Sequence, residues 1–300
     1  TVTFTTVGIS GSQNGIYTTG NGAVSVNGGT VSVAGGRGVW IDGGAGAISI
    51  AADITKSGAG EAVYVVSRTG STATLSGDIT FSGGGATGIT VENNTSGTVT
   101  FSGLSTLATG ANTAVQLLNN TGATINFTGG LDIDTTSGTG FSATGGGTVS
   151  VSGGARTINT TTGRIINANG IVAGAGGMNF DTLAASGTVA GDAILLANVD
   201  GGAFDGGTVT IAGASGDGIE ISGGSSATFA FDTVTITGVS ESALEFNGAN
   251  GRIDVASVAI DNLAAGATGI EILNNTDRVI ILGGSVFGTT DTDANRPLLV

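Results

Sequence analysis

Short runs in which apolar and polar residues alternate recur along the whole chain, three to a unit. One kind reads Gly38-Val39-Trp40-Ile41 or Gly218-Ile219-Glu220-Ile221, and about ten residues later a second reads Ala47-Ile48-Ser49-Ile50, Val149-Ser150-Val151 or Ala227-Thr228-Phe229. A third reads Val31-Ser32-Val33, Ile79-Thr80-Phe81, Leu131-Asp132-Ile133 or Val209-Thr210-Ile211. A period of two in β-branched residues predicts half-buried strands. No segment carries a helical period, and the abundance of Gly and Thr opposes one.

These runs belong to a repeat. Thr87 to Phe101 is echoed 26 positions later by Thr113 to Phe127, with the small residue, the apolar pair, the Asn pair and the second alternation in step. Anchored on the residue before the first strand, the units start at Gly15, Gly38, Ala62, Gly88, Ala114, Gly140, Arg164, Ala193, Gly218, Ala243 and Gly269, with Arg296 opening a twelfth. Their spacing runs from 23 to 29 residues, so length changes fall in turns. The inward column predicted for the first strand is Ile16, Val39, Val63, Ile89, Val115, Phe141, Ile165, Ile194, Ile219, Leu244 and Ile270, apolar throughout. Three strands returning in the same order are satisfied when each unit is one turn of a coil and parallel ladders form between turns.

Composition narrows the chemistry. The 58 glycines and 5% aromatics leave a thin core of aliphatic residues, and a single proline suits a backbone committed to ladders. With 22 acidic and 8 basic residues the net charge is −14, which argues against nucleic acid and anionic lipid as partners. No Cys and no His occur, which excludes disulfides, thiolate chemistry and imidazole metal sites. No apolar run reaches membrane-spanning length.

On the strand repeat and its Gly/Thr/Asn-rich turns, the whole chain resembles the Gly/Thr/Asn-rich β-strand-repeat adhesins and autotransporter passengers of bacteria. The resemblance implies an all-β fold, a right-handed, single-stranded parallel β-helix of about 12 turns of about 25 residues with three strands per turn, as one domain over residues 1–300. It also implies an extracellular or cell-surface location and a non-enzymatic structural or adhesive rod, with a carbohydrate-binding or polysaccharide-cleaving β-helix and a phage-fibre or tailspike segment as alternatives. Rival coils fit less well: the Gly-Gly-x-Gly-x-Asp repeat of calcium-binding rolls is missing.

The outward column between the two inward residues of the first strand reads Tyr17, Trp40, Tyr64, Thr90, Gln116, Ser142, Ile166, Leu195, Glu220, Glu245 and Glu271. Stacked Tyr17, Trp40 and Tyr64 could offer aromatic platforms to sugar rings, or could simply brace neighbouring turns. Stacked Glu220, Glu245 and Glu271 would lie about 5 Å apart, a spacing that suits a Ca²⁺ site or a retaining glycosidase pair. Solvated surface is the plain alternative, since in water a like-charge pair at that distance costs only about 0.8 kcal/mol. Asn275-Thr276-Asp277 resembles part of the polygalacturonase motif, but its paired aspartates and Gly-His-Gly are absent, while Arg252 and Arg278 fall away from the glutamates, so no catalytic residue is assigned.

Asn93, Asn119, Asn169, Asn198 and Asn274 recur after the first strand, where left-handed backbone favours Asn. Asp291-Thr292-Asp293-Ala294-Asn295 copies half a calcium loop without its glycine. The stretch Ile171 to Gly177 is expected to protrude as a long turn. Both Thr1-Val2-Thr3-Phe4 and Pro297-Leu298-Leu299-Val300 look like apolar strand pieces, so the chain is expected either to be cut from a longer rod or to associate end to end.

Overall fold

The computed structural model describes residues 1–286 and the backbone of the strand Arg296–Leu299. The half calcium loop at 291–295 therefore lies outside the described residues. The described chain is a β-solenoid of about 11 turns with repeats of about 25 residues, its strands parallel and stacked turn upon turn. No helix in it is long and apolar enough to cross a membrane.

The register explains the inward columns. Ile16 pairs with Val39, Val39 with Val63, Val63 with Ile89, and Ile89 with Val115, each fully or almost fully buried. On the second strand the column closes with phenylalanines: Phe101 stacks on Phe127 at 4.7 Å between ring centroids, and Phe127 meets the first-strand Phe141 edge-on at 5.9 Å. Phe180, Phe204 and Phe229 continue this aromatic spine at 5.8–6.3 Å. The residue before each first strand is small because the next turn leaves it no room. A Cβ on Gly218 would stand 2.5 Å from the Ala243 carbonyl oxygen and 2.8 Å from Ile236 Cδ1.

One anchor shifts. Consecutive Ile165 and Ile166 fit either phase of an alternating pattern, but hydrogen bonding pairs Phe141 with Ile166 and Ile166 with Ile194. Ile166 is therefore the inward residue, Ile165 fills the buried pre-strand position, and Asn167 takes the outward place that the sequence reading gave to Ile166. The twelfth unit shifts in the same way, with Arg296 paired to Thr268, one residue ahead of Gly269.

The expected protruding turn is also absent. Ile171, Val172 and Ala173 pair with Val199, Asp200 and Gly201 inside one long strand, Ile166–Asn179. The extra length is a bulge: Gly174 to Gly177 stand opposite Ser150 alone, between the pairs Val149 with Ala173 and Val151 with Met178. Glycine permits this because no side chain has to be accommodated against the ladder.

The turn after the first strand carries an amide ladder in two rows. Asn93, Asn119, Asn198 and Asn274 adopt left-handed φ of 52–55°. The following Asn94 and Asn120 point inward and are fully buried; Asn94 Nδ2 donates to Asn120 Oδ1 at 2.7 Å, and Asn120 Nδ2 donates to the Val91 carbonyl at 2.8 Å. Below them Arg68 fills the same position, fully buried, and gives its guanidinium to the Gly43, Gly46 and Gly70 carbonyls. Lys56 is a second buried cation, in the third-strand column between Val33 and Phe81, with Nζ donating to the Ala34 and Ser57 carbonyls. Desolvation lowers the pKa of both.

Candidate functional site

The outward column of the first strand gathers the two constellations expected there. Glu220 pairs with Glu245 and Glu245 with Glu271, so the three glutamates are successive rungs of one ladder. The residue two places ahead of the inward position forms a neighbouring row, and here it contributes Asp192, Asp217 and Ser242. One carboxylate oxygen from each of Asp192, Asp217 and Glu220 lies within 4.8 Å of the others, close enough to share a metal ion. Of the three glutamates proposed from sequence, Glu220 alone belongs to that set. Asp192 and Asp217 escaped the sequence reading because they sit outside the strand's own alternation, although Asp-Ala-Ile and Asp-Gly-Ile repeat at the same phase.

Asp217 is 3% exposed. Its Oδ1 accepts the Ser242 N–H at 2.6 Å, and its own N–H donates to Asp192 Oδ1 at 3.2 Å. Burial pushes its pKa up to about 8, against the pull of the Ser242 N–H and helped by the Glu245 charge and hydrogen bond and by the Asp192 charge. Asp217 thus holds its proton more tightly than an ordinary aspartic acid and is bonded to Glu245 in the rung above. Burial likewise raises Glu220, opposed by the Ser222 hydroxyl, which donates to Oε1 at 2.6 Å; the charges of Asp192 and Glu245 raise it further, while Arg164 lowers it. Arg164 closes the foot of the cluster, with Nη2 3.2 Å from Asp192 Oδ2. At the top the Ser242 hydroxyl donates to Glu271 Oε2 at 2.9 Å, and Asn247 Nδ2 donates to Glu245 Oε1 at 3.1 Å. Chemically the cluster can bind a hard cation in exchange for a proton, or keep that proton shared.

The aromatic rungs also form. Tyr17 pairs with Trp40 and Trp40 with Tyr64, their rings 4.5 and 6.2 Å apart and tilted by 44° and 56°. They do not make a bare platform. The Arg37 guanidinium carbon lies 4.5 Å from the Trp40 centroid and 3.9 Å from that of Tyr64, held there by a 2.7 Å ion pair with Glu61. The Tyr64 hydroxyl donates to Glu92, and burial together with that carboxylate pushes its pKa up to about 12. Only Tyr17, 50% exposed, presents an open ring. Arg252 and Arg278 immediately precede second strands, apart from both constellations.

A shallow groove of about 570 Å³ lies beyond the third strand, lined by Ala108, Asp134, Asn159, Thr161 and Ser186 among others. Asn159 Nδ2 donates to Asp134 Oδ1 across it at 3.3 Å. Comparison with models of known protein families, with curated proteins and with solved structures finds no match.

Proposed function

We propose that this chain is a non-enzymatic rod, a structural or adhesive element of a bacterial cell surface. The observation that carries the reading is where its chemically capable side chains spend their bonds. Arg37 pairs with Glu61, Tyr64 with Glu92, Arg156 with Asp181 and Arg164 with Asp192, each reaching one turn along the coil. Groups tied in this way stiffen the junction between turns. In a coil where each repeat touches only its neighbours, overall stability is a sum of such junctions. The acidic, Gly/Thr/Ser/Asn-rich repeat composition resembles that of bacterial extracellular surface proteins and supports an extracellular setting. Surface polysaccharide and end-to-end self-association are the partners this reading favours.

Incubation with a panel of acidic and neutral polysaccharides, with and without Ca²⁺, tests it by reducing-end and unsaturated-product assays. The rod reading expects no turnover. Cleavage that disappears in Glu245→Gln would replace it with a carbohydrate-active β-solenoid.

A further inference from the structure

The second-strand face holds a patch unlike the rest of the surface. Four successive turns read Thr72-Ala73-Thr74-Leu75-Ser76, Thr98-Val99-Thr100-Phe101-Ser102, Thr124-Ile125-Asn126-Phe127-Thr128 and Thr148-Val149-Ser150-Val151-Ser152. Their register is continuous, Thr72 to Thr98 to Thr124 to Thr148 in one column and Thr74 to Thr100 to Asn126 to Ser150 in the next. Backbone bonds from Ser102 N to Leu75 O, Thr128 N to Phe101 O and Ser152 N to Phe127 O carry the third column in step. The intervening Ala, Val, Ile, Leu and Phe are buried, which turns every other residue outward. Of these twelve positions eleven carry a hydroxyl and one an amide, and none is charged; Ser150, opposite the glycine bulge, is buried, so ten hydroxyls and the amide reach the surface. On one side the two outer columns end at Ala47 and Ala51 while the middle column runs on through Ser49 to Ser25, and on the other side lies the Gly174 to Gly177 bulge.

β-propensity alone favours Thr on a sheet, but it does not account for the uniformity. Over the same turns the outward first-strand column passes through Tyr64, Thr90, Gln116 and Ser142, and the third-strand face includes Asp132 and Asp134. A two-dimensional, uncharged, repeating array suits a ligand that is itself periodic in two dimensions. Rungs recur at about 4.8 Å between turns and alternate side chains at about 6.7 Å along a strand. In tetrahedral ice, hydrogen-bonded oxygens about 2.75 Å apart give second-neighbour oxygens at roughly 4.5 Å and an axial repeat of roughly 7.3 Å. Hydroxyls can donate or accept, so they meet either polarity of the lattice water, and the ladder fixes them beforehand, so little ordering entropy is lost on contact.

We propose that this hydroxyl array, Thr72 to Ser152 on the second-strand face, binds ice. It requires neither the aromatic rungs nor the carboxylate cluster and is independent of the rod's adhesive role.

The test is ice-crystal microscopy and ice-recrystallisation inhibition with the purified full chain. The expected result is faceted crystals and slowed recrystallisation. Thr98→Tyr combined with Thr124→Tyr should abolish both at an unchanged melting temperature, while Thr208→Tyr combined with Thr233→Tyr on the third-strand face should leave both intact. If the tyrosine pair disturbs folding, Thr98→Val with Thr124→Val keeps the shape, removes two hydroxyls and should weaken the effect. Rounded crystals that exclude the chain would overturn the proposal, as would full activity in a folded patch variant. Retention on crystalline cellulose without any effect on ice would also overturn it and assign the array to a glycan.

Discussion

Asp217→Asn isolates the energetics of the carboxylate cluster. A carboxyl whose pKa rises from 3.8 in the unfolded chain to about 8 in the fold binds its proton more tightly when folded. Stability is then fully present below about pH 4 and falls as pH climbs through the window from 3.8 to about 8. At 1.36 kcal/mol per pKa unit the loss from this group is roughly 4 kcal/mol by pH 7 and approaches roughly 6 kcal/mol above pH 8. Asparagine stays neutral throughout, its Oδ1 can keep the Ser242 N–H, and its Nδ2 can replace the acid proton facing Glu245. Urea unfolding of both proteins between pH 4 and 9 should show a steep decline for the native chain and a flatter one for the variant, which becomes the more stable of the two above pH 8. Equal slopes would refute the burial argument, because they would mean that Asp217 ionises in the folded state without penalty. Ca²⁺ at pH 8 provides a second arm. A cation held by Asp192, Asp217 and Glu220 would stabilise the native chain more than Asp217→Asn.

Other perturbations probe separate parts of the coil. Phe127→Ala removes the ring shared by Phe101 and Phe141 and should cost about 3–5 kcal/mol in urea unfolding. Asn120→Ala strands the buried Val91 carbonyl and the Asn94 amide and should cost about 1–3 kcal/mol per group left unpaired, whereas Asn119→Gly, at a φ of 55°, should be nearly neutral by the same measurement. In a spectrophotometric titration Tyr64 should ionise only near pH 12, and Glu92→Gln should bring its transition to lower pH by removing the charge that opposes the phenolate.

The coil itself was legible in the sequence because its period is written in the small pre-strand residue and the apolar first-strand column, both forced by contact between adjacent turns. Where two apolar residues sit side by side, as Ile165 and Ile166 do, alternation has no phase, and only backbone pairing decides. The Ile171 to Gly177 stretch looked like a protruding turn because glycine signals turns and bulges alike. At the candidate site the glutamate rungs could be read directly, since one column carries them. Asp192 and Asp217 reach the same space from the residues just ahead of their strands, and that convergence depends on how the chain enters the strand. Arg68 and Lys56 were invisible for a further reason. Charged residues normally mark the surface, and these two are instead held by carbonyls that no side-chain pattern announces.

Because the chain has no cysteine, engineered cross-links test the stacked parallel register most directly. Ser142 and Asn167 are paired rungs of adjacent turns, and a ladder spacing of about 4.8 Å falls within the Cα separation a disulfide spans. Ser142→Cys with Asn167→Cys should oxidise to a single intramolecular disulfide, while Gln116→Cys with Asn167→Cys, two turns apart, should remain reduced. Cross-linking of the second pair in preference to the first would contradict the turn-upon-turn register from which the carboxylate cluster, the aromatic rungs and the hydroxyl array all follow.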